Sequence, residues 1–170
     1  MHDERLGNLL GAAALAVTDR MLAGVQAAGG VGASSAAALV ALAETPGTSV
    51  TELGRGIGLS QPAAARMVDG LERAGLAARS PRPGRAVAVA LTAAGERAVA
   101  EIRAARAAAL DELVAVLDAA ERVALTTVLE RLLAALYAGR ADVLCRLCDR
   151  ACCVDGAVCP VGQAERDRAV

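Results

Sequence analysis

The sequence has no tryptophan, phenylalanine or lysine, a single tyrosine, a single histidine, and no cysteine before position 145. Each absence excludes something. Without large aromatic rings the core must be Leu, Val, Ile, Met and Ala, which suits closely packed helices better than a β-sandwich. The one histidine, His2, stands at the end of the chain, and no nucleophile has a base beside it in the sequence, so an enzyme is not expected. A net charge of −1 argues against a protein that coats nucleic acid or membranes indiscriminately. Long apolar runs are missing too. Leu9–Val17 is flanked by Asp3, Glu4 and Arg5 on one side and Asp19 and Arg20 on the other. The uncharged stretch Met21–Ala43 is broken by GGVGASS, so no membrane span is expected. These features together describe a soluble, cytoplasmic chain whose thiols stay reduced.

What is present is helical periodicity. Leu6, Leu10, Ala13, Val17, Met21 and Val25 form one stripe of a long first helix, ended by Gly29, Gly30 and Gly32. Ser34 or Ser35 can cap a second helix that runs through Ala43, with Thr45-Pro46-Gly47 as its stop. Ser49-Val-Thr-Glu52 is a capping box for a short third helix, weakened by Gly54, Gly56 and Gly58. Ser60 caps a fourth, with Ala64, Met67, Val68 and Leu71 inward and Gly75 after its end. Leu76–Arg79 and the alternating Val87, Val89 and Leu91 read as a two-stranded hairpin around SPRPGR. Thr92 caps a helix to about Leu117, and Asp118-Ala-Ala-Glu121 opens the last one, which ends near Gly139. A short helix, a tight turn, a capped helix and an arginine-tipped hairpin make a winged helix-turn-helix. The fold class is mainly α with a small β-wing. The first and last helices carry more apolar stripe than this small domain can cover, which implies a second subunit. GRGIG (Gly54–Gly58) lacks the preceding strand and the Gly-Lys-Ser/Thr ending of a phosphate loop, and is read as the turn of the motif.

The stretch from VTELGRGIGLSQP through VDGLERAGL to LTAAGE resembles the MarR family of winged-helix transcriptional regulators over about residues 5–140. That resemblance implies a homodimer, held by its terminal helices, that binds a pseudo-palindromic operator in double-stranded DNA, most often as a repressor. It divides the chain into a dimerisation helix (3–32), the winged helix-turn-helix (33–92), two further dimerisation helices (93–140) and a tail (141–170). Two departures stand out. The wing tip is Arg82-Pro83-Gly84-Arg85 where the family carries Asp-Arg-Arg, and Gly54 and Gly56 replace helix formers at about 1 kcal/mol each.

Between Ser60 and Arg85 five arginines face two carboxylates, three positive charges in excess on an otherwise acidic body. Ser60 and Gln61, at the start of the recognition helix, are expected at phosphates or base edges, with Arg66 one turn on. Arg82 and Arg85 suit the adjacent minor groove, and Arg79 a flanking phosphate. Arg73, beside Asp69 and Glu72, reads as a solvated surface charge or an ordinary salt bridge. A crevice between stalk and winged domain, lined by Ala, Val and Leu, would suit a small apolar or aromatic effector.

All five cysteines fall between Cys145 and Cys159. Taking Cys153 gives C-x2-C-x4-C-x5-C; taking Cys152 gives C-x2-C-x3-C-x6-C. Cys145, Cys148, Cys153 and Cys159, with Cys152 as the alternative to Cys153, are therefore expected to hold zinc or, alternatively, an iron–sulfur cluster, following the Cys-Pro at 159–160. Asp149 or Asp155 is needed for a mixed shell. Inert thiols, disulfides and a disordered tail compete with the metal. A different class of function, a metal-binding helical interaction module with a vestigial DNA face, stands beside the regulator.

Overall fold

The computed structural model describes residues 2–82 and 85–168, the side chains at 2, 81, 82, 85 and 86 excepted. In chain order the elements are α1 (His2–Gly29), α2 (Ala33–Glu44), β1 (Thr48–Ser49), α3 (Val50–Gly56), α4 (Gln61–Arg73), β2 (Ala77–Arg82), β3 (Arg85–Leu91), α5 (Ala93–Val114) and α6 (Ala119–Leu136). Three short helices follow, α7 (Ala141–Leu144), α8 (Arg150–Val154) and α9 (Pro160–Arg168).

The core forms around α2, whose Ala36, Ala37, Ala38, Leu39, Val40 and Leu42 are all buried. Against it pack Val25 of α1, Leu53 of α3, Val68 and Leu71 of α4, Val89 of β3, and Val99 and Ile102 of α5. Each Leu or Ile enclosed this way contributes about 1.5–3 kcal/mol. Alanine lets the α2 backbone come close to its neighbours, which is how a core without aromatic rings fills its space. The helix pair α1 and α5 forms the stalk; Gly24 lies against Ala105 and Ala109, and Gly29 against Ile102. No single helix among the described residues is long and apolar enough to cross a membrane, and α1 and α2, which pass by composition as a pair, meet at 74°.

Local signals hold at most element ends. Ser49 and Glu52 close their capping box in both directions, at 3.2 Å and 3.1 Å. The backbone N–H of Ser49 holds the Glu52 carboxyl below its usual range. Gly75, at φ +71°, follows α4 in a paired C-terminal cap, with Leu76 N–H donating to Leu71 and Gly75 N–H to Glu72. Asp118 and Glu121 close a second capping box on α6.

Several expectations change. The second helix starts at Ala33 with Gly32 at its cap and no side-chain bond, because Ser34 and Ser35 fall inside its first turn. The sheet has three strands, in the order β1-β3-β2, since Thr48 and Ser49 pair with Val89 and Ala88. The first wing strand starts at Ala77 and extends to Arg82, and α5 stops at Val114. The tail is folded into helices over its described length. It buries Leu147 in the main core, with Val161 and Tyr137 also buried.

One glycine is under severe constraint. A Cβ on Gly95 would stand 2.0 Å from the Leu76 carbonyl oxygen, where the wing passes the start of α5. Gly95→Ala is expected to destabilise the chain by about 2–3 kcal/mol, because backbone must move to admit one methyl group. A chemical-denaturation midpoint that does not fall would show that the wing and α5 are not in this contact.

Candidate nucleic-acid interface

The reading head is built from α3, a tight turn and α4. Gly58 makes the turn at φ +78°, and Leu59 N–H donates to Gly54 at 2.8 Å. Ile57 is buried beneath it. Gly54 is there for closeness. A Cβ at that position would lie 2.5 Å from the Ala64 methyl, so α3 and α4 cross at a distance that only glycine opposite alanine allows. The helix-propensity cost of Gly54 is thus offset by packing.

Ala64, Val68 and Leu71 turn inward from α4, and Ser60, Gln61, Arg66, Asp69 and Arg73 are exposed. Ser60 occupies the N-cap with extended backbone, but its hydroxyl makes no capping bond. Pro62 removes one N–H from the first turn and leaves the remaining amides at an exposed helix start. A free hydroxyl, free amides and the positive end of the helix dipole together suit an anion. Arg66 forms no ion pair among the described residues, and neither does Arg73.

The carboxylates that neighbour Arg73 in the sequence are engaged by Arg79. Arg79 Nη1 donates to Asp69 Oδ1 at 2.6 Å and to Glu72, while the Arg79 backbone N–H donates to the same Glu72 carboxylate at 2.9 Å. The Asp69 hydrogen bond raises the guanidinium's pKa, reinforced by the charge of Glu72. Arg79 is 27% exposed and is engaged by both carboxylates, so it clamps the wing to α4. Arg73 donates only to the Asp69 main-chain carbonyl, at 3.3 Å, and keeps its charge available. Adjacency in sequence pointed to Arg73, but the helix-to-strand return brings the carboxylates to Arg79.

The backbone of the wing pairs Arg82 with Arg85 at its outer end. Pro83 and Gly84, and the side chains of Arg82, Arg85 and His2, lie outside the described residues. Behind the wing, a crevice of about 470 Å³ opens between α2, β3 and α5. Leu42, Leu91, Val99 and Ala100 give it apolar walls, and Glu96 and Arg103 supply the charges.

The tail lies on the opposite side of α3. Asp142 packs against Gly56, with Oδ2 3.3 Å from where a Cβ would be, and Val143 against Gly58. The neighbouring Cys145 thiol lowers Cys148 to about 6 and Cys148 in turn pushes Cys145 up; the guanidinium of Arg106 also favours the Cys148 thiolate. Cys153 pairs with Cys159, while the Cys152 thiol is engaged by Asp149. Among the described residues no three His, Cys, Asp or Glu side chains stand at metal-binding spacing.

Residues 30–86 match the model of the MarR family. No curated protein sequence matches the chain. Among solved structures, a MarR family transcription regulator aligns at 26% identity over 77% of this chain and 90% of its own, with a TM-score of 0.66. Rv2887 of Mycobacterium tuberculosis, a MarR family protein solved in complex with DNA, aligns at 28% identity over 75% of this chain and 96% of its own, TM-score 0.62. The same protein has also been solved with salicylic acid. YusO of Bacillus subtilis, at 22% identity over 78% of this chain and 96% of its own, shares the fold with a TM-score of 0.68.

Proposed function

Because this chain is a MarR-type winged-helix regulator, we propose that it acts as a homodimeric, cytoplasmic repressor on a pseudo-palindromic operator in duplex DNA. As a regulator of this type it is not an enzyme. The observation that carries the proposal is the exposed start of α4, where Ser60 keeps its hydroxyl unbonded and Gln61 and Arg66 stand beside it. In a major groove Ser60 and the helix-start amides take a phosphate, and Gln61 and Arg66 reach base edges. The wing follows at a fixed angle, because Arg79 holds β2 to α4. Arg82 and Arg85 then enter the adjacent minor groove, and Arg73 supplies a further cation toward the backbone.

Dimerisation is supported by apolar side chains that one chain leaves uncovered. Leu6, Leu9, Leu10 and Leu15 on α1 and Val123, Val128 and Leu136 on α6 are each about half exposed or more. No side chain on α6 is buried within the chain. A surface of that kind marks a subunit interface.

Selection from a random-sequence duplex pool tests the proposal. The expected product is an inverted repeat with half-sites about one helical turn apart. Its binding should weaken linearly in log K against log salt as counterions are released. No enrichment, or binding indifferent to salt, would leave the interaction-module alternative.

The crevice between α2, β3 and α5 supports a second, compatible role. Its apolar walls suit a small apolar or aromatic effector, whose binding would wedge the winged domain against the stalk.

A further inference from the structure

We propose that Cys145, Cys148, Cys153 and Cys159 form a four-thiolate site for a single zinc ion at the junction between the stalk and the winged domain. Three observations carry this. First, the short helices α7, α8 and α9 gather these thiols into two neighbouring pairs, Cys145 with Cys148 and Cys153 with Cys159. Both pairs lie within electrostatic reach of one another and of Arg106 on α5. Second, Asp149 acts on the Cys152 thiol, which leaves the spacing C-x2-C-x4-C-x5-C for the four remaining cysteines. Third, the surroundings suit an anionic shell. A tetrathiolate zinc centre carries a net charge of −2, and Arg106 on α5 acts on Cys148 and has a buried Nε with no acceptor among the described residues.

Four thiolates within fifteen residues can close a tetrahedral shell with Zn–S bonds of ~2.3 Å. With no three donors yet at metal spacing among the described residues, binding must close the two pairs on each other. The thiols still protonated give up their protons as four Zn–S bonds form, and no electron moves. Closing the pairs draws Cys159, at the head of α9, toward Cys145 and Cys148, just after α7. Because α9 packs on α6 and α7 packs on α3, the ion fastens the dimerisation helix to the reading head. Gly162 helps hold the approach, its N–H donating to Cys159 Sγ at 3.5 Å.

The experiment uses reduced, metal-free, full-length protein titrated with Zn²⁺ against a chromophoric chelator, and in parallel with Co²⁺. Expected are one Zn²⁺ per chain and, with Co²⁺, the strong near-ultraviolet charge-transfer and intense red d–d bands of a tetrahedral tetrathiolate. Cys152→Ser should keep that spectrum and Cys153→Ser should lose it. Because the unmodified protein is read first, a variant that misfolds does not leave the question open. Three results overturn the proposal: no Zn²⁺ taken from the chelator, iron with acid-labile sulfide in the purified protein, or a Co²⁺ spectrum lost in Cys152→Ser and kept in Cys153→Ser. None depends on DNA binding.

Discussion

Replacing both wing arginines, Arg82→Glu with Arg85→Glu, is expected to weaken operator binding by roughly a thousand-fold or more while leaving the protein folded. Each reversal removes a cation from the polyanion and adds a repelled anion, and a dimer carries the pair twice. Single phosphate or minor-groove contacts are worth about 1–3 kcal/mol, so four of them reach this scale. The slope of log K against log salt should also become shallower, as fewer counterions are released. The two residues end the strands of a hairpin whose base is held elsewhere, so thermal stability should stay within experimental error. Arg79→Gln is the contrasting variant. It leaves Asp69 and Glu72 facing each other without their shared cation, and should cost about 1–2 kcal/mol of stability at near-normal secondary structure. Any effect on affinity then comes from a loosened wing. Gel-shift titrations at two salt concentrations, with melting curves on the same samples, separate the two cases. Unchanged affinity in the double reversal would make the DNA face vestigial.

Placing a charge on the uncovered face of α6 is expected to split the dimer. In one chain Val128 is 50% and Leu136 65% exposed and neither is buried, so Val128→Asp with Leu136→Asp leaves the core of the protomer intact. In a dimer both carboxylates would be forced into an apolar seam, at several kcal/mol each, and twice by symmetry. The dissociation constant should rise by at least ~10³-fold, and sedimentation at micromolar concentration should give a monomer with native helix content. Operator affinity should fall with it, because one winged domain reads only one half-site. If the variant sediments as a dimer, α6 is not the interface, and the exposed leucines of α1 have another use. The crevice lined by Val114, Leu117, Leu125 and Leu129 lies along the same face and would be sealed by the partner.

The contrast between Arg73 and Arg79 defines how far local pattern reaches. Sequence neighbours Asp69 and Glu72 assign themselves to Arg73 on a helical wheel, yet the chain returns through β2 and delivers Arg79 to both. Charge pairing is decided by three-dimensional approach, which a helical period does not encode. Gly54 and Gly56 are a second case. As sequence they are weak helix residues. In the fold they are contact surfaces, one for Ala64 and one for Asp142.

By itself the sequence determined the helix order, the caps at Ser49, Thr92 and Asp118, the turn before α4 and the inward face of that helix. These depend on hydrogen bonds and apolar spacing within a few residues, so they are written where they act. The absence of aromatic rings likewise determined an alanine-lined, helix-packed core. Only the tertiary structure decided which arginine clamps the wing, that β1 joins the sheet, and that the tail folds back on α3 and buries Leu147 in the core. Each of those contacts joins segments far apart in the chain, where the free energy of pairing depends on burial and distance that no local pattern carries.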